Sequence, residues 1–242
     1  MSEQLSTLCP LTVVMPAYNE EGAIEAAVDE VRRHVLDRVA GSCLLVVDDG
    51  SRDGTGRLLD ALAVHDSRVQ VVHQPNGGHG SAVMTGLTRA TSEFVFLIDS
   101  DQQIPLDGFF AAWSVMRPGV DGVFGVRRKR NDPTLRLILT SVVRRVIRLL
   151  FGVPLYDANV PYKLIRRSAW EHARPFISPD TLAPSLFLAA YMKRSGMNII
   201  EVEIDHRERQ TGVVSIRRWK LVKFCAKALG QLLRFRYRLR SA

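Results

Sequence analysis

Four short, largely apolar runs, each stopped by a cluster of polar residues, constrain this chain more than any other feature. They are LTVVM at 11–15, LLVV at 44–47, VQVV at 69–72 and FVFLI at 94–98. Between them, apolar residues recur at helical spacing. Ile24, Val28, Val31, Val35 and Val39 predict a helix over Glu20–Val39, Leu58, Leu59 and Leu62 one over Thr55–Val64, and a third follows over Ser81–Thr91. Short strands alternating with helices predict an α/β fold, a mostly parallel doubly wound sheet with flanking helices. Ligands of such sheets bind beyond the carboxyl ends of the strands. The segments PAYNEE, DDGSRDGT, HQPNGGHGSA and DSDQQ are therefore expected to share one edge.

Beyond residue 100 the rhythm loosens. Strands are predicted at Val123–Gly125, Tyr162–Ile165 and Ile199–Ile204, and helices at Leu135–Phe151, Thr181–Ser195 and from Arg217 onward. With no internal repeat and no low-complexity linker, the expected organisation is one domain over 1–216 followed by a basic amphipathic helix over 217–242. Charge marks the same boundary. Residues 217–242 hold 9 Lys and Arg and no acid, while the first 216 residues are close to neutral. Such a tail favours an anionic surface, membrane or nucleic acid. No RNA- or DNA-binding module is recognisable and the strand-end loops are acidic, so no nucleic-acid partner is expected. Neither a signal peptide nor a membrane-spanning helix is expected. The three cysteines lie far apart, as free thiols in a reducing compartment would. These features predict a cytoplasmic protein.

The polar loops carry the candidate chemistry. In DSDQQ, Asp99 and Asp101 leave a strand two positions apart. Either the strand ends in solvent, or the two carboxylates share a hard divalent cation, with Gln103 adding a carbonyl oxygen. DDGS is equally good turn chemistry or a carboxylate aimed at a nucleobase edge. The glycines of NGGHG permit a close backbone approach to a ligand, but the spacing of a phosphate-binding P-loop is missing, as is any G-x-G-x-x-G after the first strand.

Taken in order, Pro16-Ala17-Tyr18-Asn19-Glu20, Val47-Asp48-Asp49-Gly50-Ser51 and Asp99-Ser100-Asp101-Gln102-Gln103 resemble the family 2 glycosyltransferases of GT-A fold, over about residues 11 to 215. The resemblance is greatest to the dolichol-phosphate mannosyltransferase and polyprenyl-phosphate glycosyltransferase branch. It implies the GT-A (nucleotide-diphospho-sugar transferase) fold and a Mg²⁺ or Mn²⁺ ion held by Asp99, Asp101 and Gln103. It also implies a nucleotide-sugar site at Pro16, Tyr18, Glu20, Val47, Asp49, Asp99 and Ser100. Gly125-Val126-Arg127 matches a G-x-R motif, Arg136 and Thr140 match an acceptor-phosphate pair, and His206 to Ser215, containing Arg209, resembles a loop that closes over donor phosphates. The family's Ser-Gly-Phe is replaced here by Asp157-Ala158-Asn159-Val160-Pro161-Tyr162.

The implied reaction is a metal-dependent, inverting transfer from a GDP- or UDP-sugar. Arg127 and Arg209 are candidates to steady the departing diphosphate. A hydroxyl acceptor needs a base, for which Asp157 or His206 is best placed. A lipid phosphate, with a second pKa of about 6, needs none. Arg136, Thr140, Arg144 and Arg148 recur every four residues on an otherwise apolar segment. With the basic tail, they favour a polyprenyl phosphate acceptor and peripheral attachment to an anionic membrane on its cytoplasmic face. The alternatives are a transferase of the same fold acting on a hydroxyl in cell-surface polysaccharide or glycolipid synthesis, a nucleotide-sugar binder without catalysis, and a basic RNA-associated protein.

Overall fold

The computed structural model describes residues 10–127, 145–152, 157, 160–207 and 218–240. Seven strands form one sheet: β1 (Leu11–Ala17), β2 (Cys43–Asp48), β3 (Val69–His73), β4 (Phe94–Ile98), β5 (Gly122–Arg127), β6 (Tyr162–Arg166) and β7 (Ile199–Ile204). Their order is β3-β2-β1-β4-β6-β5-β7. The first four strands are mutually parallel, as expected. β6 runs antiparallel to both β4 and β5, and β7 is parallel to β5. Chain order reverses at β1, whose neighbours are β2 and β4, and this is where an open α/β sheet leaves a crevice.

Alternation along the central strands divides the core in two. Val13, Met15, Phe96 and Ile98 face one layer with α1 (Ile24–Val31), α2 (Thr55–His65) and α4 (Phe109–Ser114). Val14, Val95 and Leu97 face the other. That second layer holds α3 (His79–Arg89), α5 (residues 145–151), α6 (Arg167–Ala173), α7 (Pro184–Arg194) and α8 (Arg218–Arg238). Fully burying one such side chain stabilises the fold by about 1.5–3 kcal/mol. From α8, Leu232 and Phe235 join this core, with Phe235 edge-on to Phe187 at 5.0 Å.

The structure departs from the sequence expectations at several element ends. The predicted Glu20–Val39 helix starts only at Ile24, because the N–H groups of Asn19 and Glu20 donate sideways to Ser51 Oγ (3.0 Å) and Thr55 Oγ1 (2.8 Å). Its last part, Arg32–Leu36, widens into π-helical turns. β1 continues through Pro16; its pairing with β4 stops at Val14, so a residue with no N–H to donate is tolerated there. α7 begins at Pro184, where proline fits the first helical turn, rather than at Thr181. α4 and α6 were not expected at all. Of the predicted Leu135–Phe151 helix, residues 145–151 are described and helical.

Candidate active site

β1 to β4 deliver their polar segments to one edge. β5 and β7 end at the same edge, at Arg127 and Ile204, which are register partners. Because β6 runs the other way, its first residue, Tyr162, pairs with Ile98 at the end of β4. Residues that precede β6, Asp157 among them, therefore arrive at the edge that the other strands reach by ending.

A cleft of about 370 Å³ opens there, within the range of small-molecule sites. Pro16, Tyr18, Glu20 and Asp49 line one side, and Asp99, Ser100 and Asp101 the other. Six of the seven expected nucleotide-sugar residues thus meet in one cavity. The exception is Val47, which is fully buried in β2 and does not line it. Tyr18 presents an exposed ring.

The two aspartates of DDGS divide their tasks. The buried Asp49 carboxylate accepts hydrogen bonds from Gln74 Nε2 (2.7 Å), Gly77 N (2.9 Å) and Gly78 N (2.7 Å), and so shapes the QPNGG loop as a wall of the cleft. Gly78 has φ +86, a left-handed conformation that glycine adopts without steric cost. Asp48 turns away toward His73 Nδ1 at 2.8 Å, and His73 Nε2 meets Asp60 at 3.0 Å. Burial pushes the Asp48 carboxyl up, but hydrogen bonds from Ser51 and His73 outweigh it and hold it below the usual range. Hydrogen bonds to Asp48 and then Asp60 raise the His73 imidazole above its ordinary value.

From the QPNGG wall, α3 begins at His79, so its N-terminus opens on the cleft through Gly78 and His79. The first N–H groups of a helix and its positive dipole end favour an anion. His79 Nε2 lies 3.8 Å from Asp99 Oδ1. In the sequence His79 was hidden in a glycine loop; its place at a helix start was the signal to follow.

On the DSDQQ side, Asp101 Oδ1 accepts the Gln103 N–H at 3.2 Å, and Gln103 O accepts the Arg207 N–H at 2.8 Å. Gln103 does not line the cleft. Among the described residues no group of three His, Cys, Asp or Glu side chains is close enough to hold a metal alone. Asp99 and Asp101 offer only oxygen to one cavity and leave most of a coordination shell to water and substrate. That donor set fits Mg²⁺ or Mn²⁺ shared with a diphosphate.

Arg127 and Asp157 form a second cluster. Arg127 Nε and Nη2 each donate to one Asp157 oxygen at 2.8 Å, and Arg127 N adds a third bond at 3.2 Å. Both side chains are largely buried. Near them lies Lys163, which the sequence reading missed because a lone lysine in YKLIR looks like a surface position. It is 1% exposed, donates to Val160 O and sits 5.2 Å from the centre of the Phe124 ring. Burial pushes its ammonium down to about 7, against the opposing pull of Asp157 and Asp99. His206 is half-buried just past β7. Arg136, Thr140 and Arg209 lie outside the described residues.

A parallel-dominated sheet with an acidic D-x-D at its switch point, facing a helix N-terminus, defines the nucleotide-diphospho-sugar transferase class of fold. Solved structures agree. Glucosyl-3-phosphoglycerate synthase from Mycobacterium tuberculosis, in complex with Mn²⁺, UDP-glucose and phosphoglyceric acid, superposes with a TM-score of 0.67, covering 93% of this chain and 79% of that one. Its sequence identity of 21% makes this a likeness of fold. The chain belongs to glycosyl transferase family 2, whose pattern matches residues 12–178. A polyprenol monophosphomannose synthase from Mycolicibacterium smegmatis is 32% identical over 213 residues, 83% of this chain and 78% of that protein. An undecaprenyl-phosphate 4-deoxy-4-formamido-L-arabinose transferase from Aeromonas hydrophila is 29% identical over 212 residues, 84% of this chain. The chain spans about three fifths of the length of that transferase. These relatives place the resemblance in the polyprenyl-phosphate branch.

Proposed function

We propose that this chain transfers a sugar from a UDP- or GDP-sugar to a polyprenyl phosphate, with inversion, at an anionic membrane face. The observation that carries the reading is the convergence of Asp99 and Asp101 with Pro16, Tyr18, Glu20 and Asp49 on one cleft. Tyr18 and the loop fixed by Asp49 would hold the nucleotide, and the N-terminus of α3, which opens on the cleft, would face the diphosphate. Asp99 and Asp101 would hold a divalent cation, which when bound supplies positive charge to the leaving diphosphate. The Mn²⁺ and UDP-glucose named for the mycobacterial synthase support this donor side.

For the acceptor, the state of Asp157 matters. Its two oxygens already take three N–H bonds from Arg127, so it is not presented to a substrate hydroxyl as a base. Nor is it offered as a nucleophile for a double displacement. A dianionic phosphate oxygen attacking the anomeric carbon directly needs neither and inverts the centre. The acceptors named for the relatives support the same choice.

Attachment is supported by α8. Its outer face carries exposed Leu229, Leu233 and Tyr237, four residues apart, beside the basic Lys227, Arg234 and Arg236, with Arg240 just past its end. An apolar stripe flanked by cations suits an anionic lipid interface. Among the described residues, no helix is long and apolar enough to cross a membrane.

The test is to supply undecaprenyl phosphate in detergent with radiolabelled UDP- and GDP-sugars and Mn²⁺, and to extract the lipid phase. Label in a lipid-linked product is expected from one donor. Label only on water-soluble saccharide or on a glycolipid hydroxyl would replace this reading with the hydroxyl-acceptor one.

A further inference from the structure

The buried face of α1 carries Ile24, Ala27, Val28 and Val31, and among them one charged residue, Glu30, only 8% exposed. Burying a carboxylate is costly unless it is well hydrogen-bonded. Among the described residues no basic side chain pairs with Glu30; its partners belong to the segment that leaves β4. Glu30 Oε2 accepts Gln102 Nε2 at 3.1 Å, and Glu30 Oε1 accepts the Leu106 N–H at 3.2 Å. One carboxylate thus grips this segment at two points, on either side of Gln103.

The grip falls where the backbone is least able to hold itself. Gln102 has φ +52, a left-handed conformation that is sterically unfavourable for a non-glycine residue. Such a conformation persists only where the surroundings over-determine it. Here the Glu30 contact supplies one restraint. The others are the Gln103 N–H to Asp101 Oδ1 bond and the Arg207 N–H to Gln103 O bond. The turn at Gln102 sets how Asp101 and Gln103 leave the strand end relative to Asp99.

We propose that Glu30 is the positioning residue of the metal loop: by anchoring Gln102 and Leu106 it holds Asp101 in register with Asp99 and sets the affinity of the site for a divalent cation. The inference rests on the metal reading of Asp99 and Asp101 given above. Glu30 itself does not line the cleft and touches no substrate. A glutamine at position 30 keeps the shape but has one acceptor oxygen where two donors converge, so it can hold only half of the grip.

The experiment titrates Mn²⁺ in the presence of UDP and, separately, GDP, with free Mn²⁺ read by electron paramagnetic resonance, on wild type, Glu30→Ala, Glu30→Gln and Gln102→Gly. Supporting side chains of metal sites change affinity by about 10- to 100-fold. A loss in that range is expected for Glu30→Ala, with Glu30→Gln in between. The donor KM at saturating Mn²⁺ should stay near the wild-type value. Gln102→Gly removes one of the two contacts, that from Gln102 Nε2, while relieving the left-handed backbone, so it tests the grip even if Glu30→Ala fails to fold; it too should weaken Mn²⁺ binding, by less than Glu30→Ala. If wild type binds Mn²⁺ and the folded variants bind it equally, Glu30 has no such role. If wild type binds no Mn²⁺ with either nucleotide, the metal reading itself fails, and Glu30 with it.

Discussion

Arg127 and Asp157, thirty residues apart in the chain, meet through two parallel N–H···O bonds of 2.8 Å at the edge of the sheet. The pair joins the end of β5 to the approach to β6. Removing one partner leaves the other buried and uncompensated, which typically costs about 3–5 kcal/mol. Arg127→Ala and Asp157→Ala should each lower the urea midpoint by a corresponding amount. Arg127→Met combined with Asp157→Leu should recover much of that stability without restoring transfer. Wild-type stability in either single variant would contradict the pairing.

Asp101→Asn leaves the hydrogen bond from Gln103 N possible and the fold intact, but removes a charge from the cation site. Transfer should fall below detection, and the rise in melting temperature produced by Mn²⁺ with nucleotide should disappear. A ligand stabilises only the state that binds it, so a persisting shift would place the cation elsewhere.

His73 links stability to pH because it lies between Asp48 and Asp60, which raise its pKa. Its contribution is complete below the unfolded value near 6.5 and is lost as pH rises through the higher folded value. The lowered Asp48 contributes in the opposite sense, above its unfolded value, and is lost as pH falls through its folded one. His73→Gln should therefore flatten the decline in melting temperature between neutral and mildly alkaline pH. An unchanged profile would mean that His73 is not the titrating group.

Gly86 lets α3 lie close on β1: a Cβ there would sit 2.3 Å from Val14 Cγ1. Gly86→Ala is expected to cost about 1–3 kcal/mol by overpacking. Because α3 carries His79 and Ala82 into the cleft, nucleotide affinity should drop as well. Calorimetry with UDP and GDP would separate the two effects.

Leu229→Glu and Leu233→Glu change exposed positions of α8 and should leave stability within about 0.5 kcal/mol. Co-sedimentation with vesicles rich in anionic lipid should fall for both, and wild-type binding should weaken with salt. Equal sedimentation of all three proteins would remove α8 from the attachment.

Much of this architecture is legible in the sequence because β1 to β4 are short and parallel, and β1, β2 and β4 are buried, so the polar residues after each strand had to converge. The meeting of PAYNEE, DDGS and DSDQQ at one edge could be read this way, whereas the singling out of Tyr18, Glu20 and Asp49 came from the resemblance to family 2 glycosyltransferases. The second half follows a different rule. β6 is buried and antiparallel, and nothing in YKLIR announces its direction. Asp157 reaches the site by preceding a strand, so its partnership with Arg127 could not be read from strand ends. Lys163 is a polar residue inside a strand, and its burial against Phe124, with Val160 O three residues earlier accepting its hydrogen bond, is not announced by its neighbours in sequence. The short helices α4 and α6 have too few turns to show a period. Glu30 fell in a helix whose apolar spacing drew attention away from the one charge on its buried face.

The reversed course of β6 has a further consequence. The chain leaves the sheet at Arg127 and re-enters it at Tyr162 at the same edge, so the antiparallel pairing of β5 with β6 needs no crossover. Within the connection, Ile147 and Phe151 of α5 pack into the second core layer. The segment is thus tied to the sheet from its face as well as from its two ends, and a change in it is felt by the core.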